Sequence, residues 1–231
     1  MHGYSIIIPV LNEAKNLSNL VKEISKSLKN FKYEIIIVDD DSYDDSKKIL
    51  LEIKKLKKNF HFYIRKNRKK DLSQSVIYGI SKSKFKNIII MDGDLQHDPK
   101  YLPKLIEKFE TKKLNLIIAV RNFKKREGLS FTRFLTSKLL IFLIFIFFGK
   151  KTSDPMSGFF LIKKSIFNNC KTKLYGKGFK ILFDIISSCK IRKVLDYPIK
   201  FKTRINNKSK MNYRVLYHLI ILILLKIKFI F

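Results

Sequence analysis

The sequence predicts an α/β domain with a mostly parallel central sheet and helices on both of its faces. Short apolar, β-branched runs alternate with amphipathic segments through the first half of the chain. These runs show little polar alternation, as strands buried on both faces should read. Acidic clusters fall where the runs end, which is the edge at which such sheets collect ligands.

The strands are expected at Ser5–Pro9, Glu34–Val38, His61–Ile64, Asn87–Met91 and Leu116–Val120. Between the first two, Leu17, Leu20, Val21, Ile24 and Leu28 fall on one helical face, with Asn12 available as an N-cap. Helical patterns follow near Asp44–Leu56, Ser73–Ser83 and Lys100–Glu110. A further strand-helix-strand set runs through Phe159–Ile162, Phe179–Ser188 and Val194–Phe201.

Two segments break this rhythm. Leu129–Phe148 is helix-like and ends in ten consecutive apolar residues, with Arg133 and Lys138 before them and Lys150 and Lys151 after. Ten residues are too few to span a bilayer, which needs about 20. They suit a buried core helix or one lying in the membrane interface, and the basic flanks favour the second. Val215–Phe231 is apolar apart from His218, Lys226 and Lys228, a marginal span whose lysines could snorkel. The expected organisation is one domain over residues 1–210, containing an interfacial helix at 129–148, then a hydrophobic membrane-associated segment at 211–231.

With 231 residues, 46% of them hydrophobic, the chain can fill the core of one such domain. Its 49 Lys and Arg against 19 Asp and Glu give a net charge of +30, which attracts anionic partners, although an AT-rich coding bias accounts equally well for most of the lysine. Cys170 and Cys189 have no metal-ligand spacing and indicate neither a zinc site nor a disulfide framework, so a reducing compartment is expected. No secretory signal is read at the N-terminus.

The strongest chemical signal is Asp92-Gly93-Asp94-Leu95-Gln96-His97, directly after the strand Asn87–Met91. Two carboxylates two residues apart, followed by an amide oxygen, can converge on a hard cation such as Mg2+ or Mn2+. The same residues also serve as a polar turn capping the helix near Pro99. Asp39, at the end of the second strand, can accept a hydrogen bond from a nucleobase. Asp40, Asp41 and Ser42 read better as turn and N-cap residues.

Taken together, Pro9-x-x-Asn12-Glu13, Val38-Asp39-Asp40-x-Ser42 and Asp92-Gly93-Asp94-Leu95-Gln96-His97-x-Pro99 resemble the family 2 glycosyltransferases, in particular the dolichyl- or polyprenyl-phosphate mannose and glucose synthases. The resemblance runs from about Tyr4 to Lys210 and implies the GT-A fold, with a Rossmann-like nucleotide-binding half and membrane-associated helices. It implies a nucleoside pocket lined by Pro9, Leu11, Glu13, Ile37 and Asp39, and a metal held by Asp92, Asp94 and Gln96. Arg121 matches an arginine near the donor and acceptor phosphates, and Arg133 and Lys138 match basic positions that receive the lipid phosphate. Asp154, Ser157 and Gly158 match a turn of the family, with Ser157 on the acceptor side. Arg204 and Lys210 match a pair that clamps the diphosphate. Asp94, Arg121 and Arg204 would carry the catalysis. The sequence departs from the pattern at Asn207, where glycine is usual, and at Lys70–Ser75, which replaces a glycine-rich segment and leaves open whether Arg65 or Asp71 takes a donor-binding role.

The implied reaction is an inverting transfer of a mannose- or glucose-type sugar from a nucleoside diphosphate sugar to a polyprenyl phosphate, at the cytoplasmic face of a membrane. A phosphate monoester is already ionised near neutral pH, with a second pKa of about 6, so it needs no base. A sugar hydroxyl acceptor is the alternative and would need one, for which the sequence offers Asp154, His97 reading better as a cap of the next turn. A basic nucleic-acid-binding protein is the more remote alternative. No nucleic-acid-binding motif is found, and acids cluster where phosphates would be repelled without a metal.

Overall fold

A computed structural model describes residues 2–121, 141–142, 144–146, 148–178, 180–202 and 221–226. Among the described residues seven strands form one sheet in the order β3-β2-β1-β4-β6-β5-β7. They are β1 (Gly3–Val10), β2 (Lys32–Asp39), β3 (Phe60–Ile64), β4 (Asn87–Ile90), β5 (Leu116–Arg121), β6 (Phe160–Lys163) and β7 (Val194–Ile199). Parallel pairing joins β1 to β2 and β4, β2 to β3, and β5 to β7. Only β6, antiparallel to both β4 and β5, runs the other way. The sheet is therefore mixed, and the carboxyl ends of six strands share an edge with the amino end of β6.

The lack of alternation in the strand sequences has a direct cause. Ile6, Ile8, Ile35, Ile37 and Ile89 face one core with Leu17, Leu20 and Leu50 from helices α1 (Ala14–Ser27) and α2 (Ser46–Leu56) and Leu105 from α4 (Leu102–Thr111). Ile7, Ile36, Val38, Ile88 and Ile90 face a second core with Val76 and Ile80 of α3 (Leu72–Lys82), Phe167 of α5 (Lys164–Cys170) and Ile185 of α6 (Ile181–Ser188). Both pleat faces are buried, so both must be apolar.

Helix α3 lies so close to β1 that a Cβ on Gly79 would overlap Ile7 Cγ2. Gly79→Ala is thus expected to destabilise, because overpacking of about 1–3 kcal/mol exceeds the gain in helix propensity of roughly 1 kcal/mol. For a domain of this size, each kcal/mol lowers the melting temperature by about 2–4 °C, which thermal unfolding would read.

Some expectations are corrected. Asn12 does not cap α1: it has φ 55°, and its side-chain oxygen accepts from Tyr43 N at 3.0 Å, stitching the loop after β1 to the loop after β2. Cys170 and Cys189 form a disulfide across a Cα separation of 5.3 Å, because the end of α5 meets the end of α6. Most of the expected interfacial helix at 129–148 and of the expected hydrophobic segment at 211–231 lies outside the described residues; among the described residues no helix is long and apolar enough to cross a membrane. The helical residues near 141–148 are two-sided: Ile141 and Ile144 enter the second core and Phe148 packs edge-on against Phe183, whereas Phe142 and Ile146 are 59% and 58% exposed. The helical stretch 221–226 repeats this, with Leu222 and Ile223 buried and Leu224 60% exposed. Lys226 does not snorkel to the surface but is buried on α6.

Candidate active site

The loops that leave β1, β2 and β4 meet at the shared edge. Asp40 N donates to Val10 O at 2.9 Å, and Asn12 N donates to Ser42 Oγ at 2.7 Å. Ser42 in turn donates through both its amide and its hydroxyl to Asp39 Oδ1. Burial pushes the Asp39 carboxyl above its ordinary pKa, the Ser42 hydrogen bonds oppose this, and the neighbouring charges of Asp44 and Asp41 add to it, leaving a net rise.

Asp40 is not the turn residue expected. It is buried in an ion pair with Arg65, and its second oxygen accepts from Asp71 N. Arg65 also donates to Asp71 O at 2.9 Å and Ser75 Oγ at 3.0 Å. Asp71 caps α3 by accepting from Gln74 N at 3.0 Å. The segment lacking the glycine-rich pattern is therefore fastened by a salt-bridged network. Capping in the turn before α2 falls instead to Asp44, which accepts from Ser46 N at 3.1 Å and from Ala14 N at 3.0 Å.

At the end of β4, Asp92 is partly open, its side chain 35% exposed, and stands 3.9 Å from His97 Nδ1. A Cβ at Gly158 would overlap its carboxylate, so the backbone after the 152–158 turn forms the seat of Asp92. Asp94 accepts from Gln96 N at 3.1 Å, in a turn that places Leu95 at φ 60°. Gln96 Nε2 reaches Lys202 O at 3.4 Å, and Lys202 N donates to Gln96 O at 3.1 Å, docking the end of β7 on this loop. His97 does not cap the next turn. It is buried between the rings of Phe159 and Phe201, and Asp98 caps instead, accepting from Lys100 N at 3.0 Å. Burial disfavours the Asp98 carboxylate, but that backbone bond and the Lys202 and Lys100 ammonium groups prevail and hold its pKa below the ordinary value.

Arg121, at the end of β5, is gripped by Asp154 through Nε at 2.9 Å and Nη2 at 3.1 Å, and lies over the Phe201 ring. Burial alone would lower its pKa, but the Asp154 charge and hydrogen bonds, with a contribution from Asp92, raise it. The cation and the carboxylate of the Asp92 loop thus act on one another across the site. Asp154 is fully buried and serves as the anchor of Arg121 rather than as a base facing an acceptor. Its own loop is tied to β7 by Asp196, which accepts from Thr152 Oγ1 at 2.6 Å and from Ser153 N and Oγ at 2.7 Å.

The expected site residues divide accordingly. Leu11, Asp39, Asp92, Asp94, Gln96 and Arg121 come to the shared edge, with Pro9 buried at the end of β1 beside Gly93. Glu13 is buried against Asn16 Nδ2 at 2.8 Å. Ile37 lies in the core with Leu17 and Leu20, on the sheet face under α1. Ser157 donates its hydroxyl to Ala119 O at 2.7 Å, which fastens the turn. Arg133, Lys138, Arg204, Asn207 and Lys210 lie outside the described residues. Sequence reasoning missed Asp196 and the pairing of Asp40 with Arg65, since their partners are remote in the chain.

Among the described residues no group of three or more His, Cys, Asp or Glu side chains stands where it could hold a metal. Asp92 and Asp94 carry oxygen donors of the kind that Mg2+ and Mn2+ prefer, and Gly158 leaves the room that the Asp92 carboxylate occupies.

The profile described as glycosyl transferase family 2 matches residues 5–170. The chain is 36% identical over 217 residues to the dolichol-phosphate mannosyltransferase of Pyrococcus furiosus, spanning 92% of this chain but only 60% of that protein. It is 27% identical over 231 residues to the dolichol-phosphate mannosyltransferase of Saccharomyces cerevisiae, covering 92% of this chain and 82% of the relative. Among solved structures, glucosyl-3-phosphoglycerate synthase from Mycobacterium tuberculosis with phosphoglyceric acid superposes with a TM-score of 0.74 at 14% identity, over 98% of this chain and 80% of that one. The same enzyme with Mn2+, UDP-glucose and phosphoglyceric acid gives a TM-score of 0.69 at 14% identity, with the same coverage. That likeness is one of fold. The family match, together with the sheet topology and that fold, defines a glycosyltransferase of GT-A architecture. The chain belongs to glycosyl transferase family 2 and is similar to the dolichol-phosphate mannosyltransferases.

Proposed function

We propose that this protein transfers a sugar from a nucleoside diphosphate sugar to a polyprenyl phosphate, with inversion, at a membrane surface. The observation that carries the choice of acceptor is the Arg121–Asp154 pair. The carboxylate that the sequence offered as a base is spent on holding a guanidinium, and a cation suits an acceptor that is already anionic. The printed names of the Pyrococcus and Saccharomyces relatives support the same acceptor class.

In this reading Asp39 accepts from the nucleobase, while Asp92 and Asp94, with Gln96 nearby, hold Mg2+ or Mn2+. When bound, that ion would neutralise the departing diphosphate. Arg121 orients and stabilises phosphate oxygens from a position fixed by Asp154, Phe201 and the seat of Asp92. Arg204 and Lys210 would clamp the diphosphate and Arg133 and Lys138 the lipid phosphate. The exposed Phe142, Ile146 and Leu224, on elements whose other faces are buried, support contact with the bilayer, from which a polyprenyl chain cannot leave cheaply at about 0.8 kcal/mol per methylene.

Labelled sugar transfer from GDP-mannose and UDP-glucose to a polyprenyl phosphate, against saccharide acceptors and with or without EDTA, tests the reading. Metal-dependent labelling of the lipid alone is expected; labelling of a saccharide hydroxyl instead would overturn it. Since Asp39 accepts from a base N–H most strongly when ionised and its pKa is raised, donor KM is expected to climb on acidification while the pH is still above the ordinary carboxylate range. A pH profile of donor KM for wild type and Asp39→Asn checks this, and the variant should lose that limb.

A further inference from the structure

Lys226 sits in an otherwise apolar stretch, yet its ammonium is almost wholly buried, with its side chain only 7% exposed. Three acceptors meet its three protons: Asp184 Oδ1 at 3.0 Å, Ser188 Oγ at 2.6 Å and Lys173 O at 2.7 Å. A buried ammonium is costly unless fully paired, so this geometry fixes the helical stretch 221–226 to α6 at one place.

Asp184 reaches in the opposite direction as well. It accepts from Tyr175 N at 3.1 Å and Gly176 N at 2.7 Å, shaping a loop in which Gly176 and Gly178 have φ 66° and 89°. That loop grips the start of α3: Gln74 Nε2 donates to Gly176 O at 2.6 Å, Gly178 N donates to Asp71 Oδ2 at 2.7 Å, and Ser73 N donates to Gly178 O at 2.9 Å. Asp71 is bonded to Asp40, the residue after Asp39, and Arg65 N donates to Asp39 O at 2.9 Å. A continuous set of hydrogen bonds therefore joins Lys226 to the β2 end that the proposed function assigns to the nucleobase.

We propose that Asp184 and Lys226 are positioning residues, a buried latch through which the docked C-terminal stretch holds the loop 175–178 and the start of α3 in the arrangement that binds the sugar nucleotide. The inference rests on the transferase reading for the word nucleotide, but the mechanical coupling can be measured without it.

Amide hydrogen exchange on the whole 231-residue chain in detergent or lipid, for wild type, Lys226→Met, Asp184→Asn and the double variant, provides that test. Lys226→Met keeps the stem and removes the charge. Loss of protection by about tenfold or more is expected in residues 71–76 and 175–178, with β1 and β4 unchanged. The double variant should differ little from Asp184→Asn alone, since Lys226 acts through that carboxylate. Unchanged protection at 71–76, or equal loss throughout β1 and β4, would overturn the latch. Calorimetry with Mn2+ and GDP or UDP gives the second readout. The single variants should weaken whichever nucleotide wild type binds by about tenfold, and Lys226→Arg should recover part of the loss; unaltered affinity contradicts the latch. If wild type binds neither nucleotide, the transferase reading fails while the exchange result still decides the coupling.

Discussion

Arg121→Ala is expected to lose both sugar transfer and stability, and the two losses should separate on a second substitution. Asp154 is fully buried and takes two hydrogen bonds from the guanidinium, so the truncation strands a carboxylate in the interior. Breaking a buried pair from one side costs about 3–5 kcal/mol, which for a domain of this size is a fall of roughly 6–20 °C in melting temperature. Pairing Arg121→Met with Asp154→Asn removes both charges and should recover most of that fall. Activity should not follow, because a preorganised phosphate contact is worth about 10²–10³-fold in rate. Thermal unfolding and labelled-sugar transfer on Arg121→Ala and the double variant check this; recovery of transfer in the double variant would place Arg121 outside the chemistry.

Gly158→Ala should be nearly as damaging to activity through a different route. Its Cβ would overlap both oxygens and the carbon of the Asp92 carboxylate, and the carboxylate, being partly exposed, can swing aside. The fold should survive with little change in melting temperature, while misplacement of a metal-binding group by about 1 Å costs on the order of 10²-fold in turnover. The concentration of Mn2+ for half-maximal transfer should rise by about tenfold or more, since a displaced ligand weakens the ion before it slows the reaction. A Gly158→Ala enzyme with unaltered Mn2+ dependence would show that Asp92 does not touch the metal.

Much of this molecule was legible from its residues. The strands announced themselves because two cores demand apolar side chains on both faces, so Ile6-Ile7-Ile8 and Ile35-Ile36-Ile37 read as unbroken runs. The acidic motifs were placed correctly at strand ends because a parallel sheet brings all such ends to one edge. The reversed direction of β6 was not legible, since Phe160–Lys163 carries nothing that distinguishes a parallel from an antiparallel buried strand. Side-chain roles failed where the partner is remote. Asp40 looked like a turn residue because Arg65 is 25 positions away, and Asp154 looked like a base because Arg121 lies 33 positions upstream. Cys170 and Cys189 show no spacing signal because packing of α5 on α6, rather than sequence, brings them together. Lys226 was read as a snorkelling lysine because nothing local foretells the carboxylate of Asp184 beneath it.

The coupling between metal and nucleotide offers the most direct measurement. Calorimetric titration of GDP and UDP into wild type and Asp94→Asn, each with Mn2+ or with EDTA, compares the four states of one thermodynamic cycle. If Asp92 and Asp94 hold an ion that would offset the charge of the diphosphate, Mn2+ should tighten nucleotide binding to wild type by at least about tenfold and leave the variant nearly unaffected. Equal nucleotide affinity with Mn2+ and with EDTA, or the same Mn2+ effect in Asp94→Asn, would contradict the account.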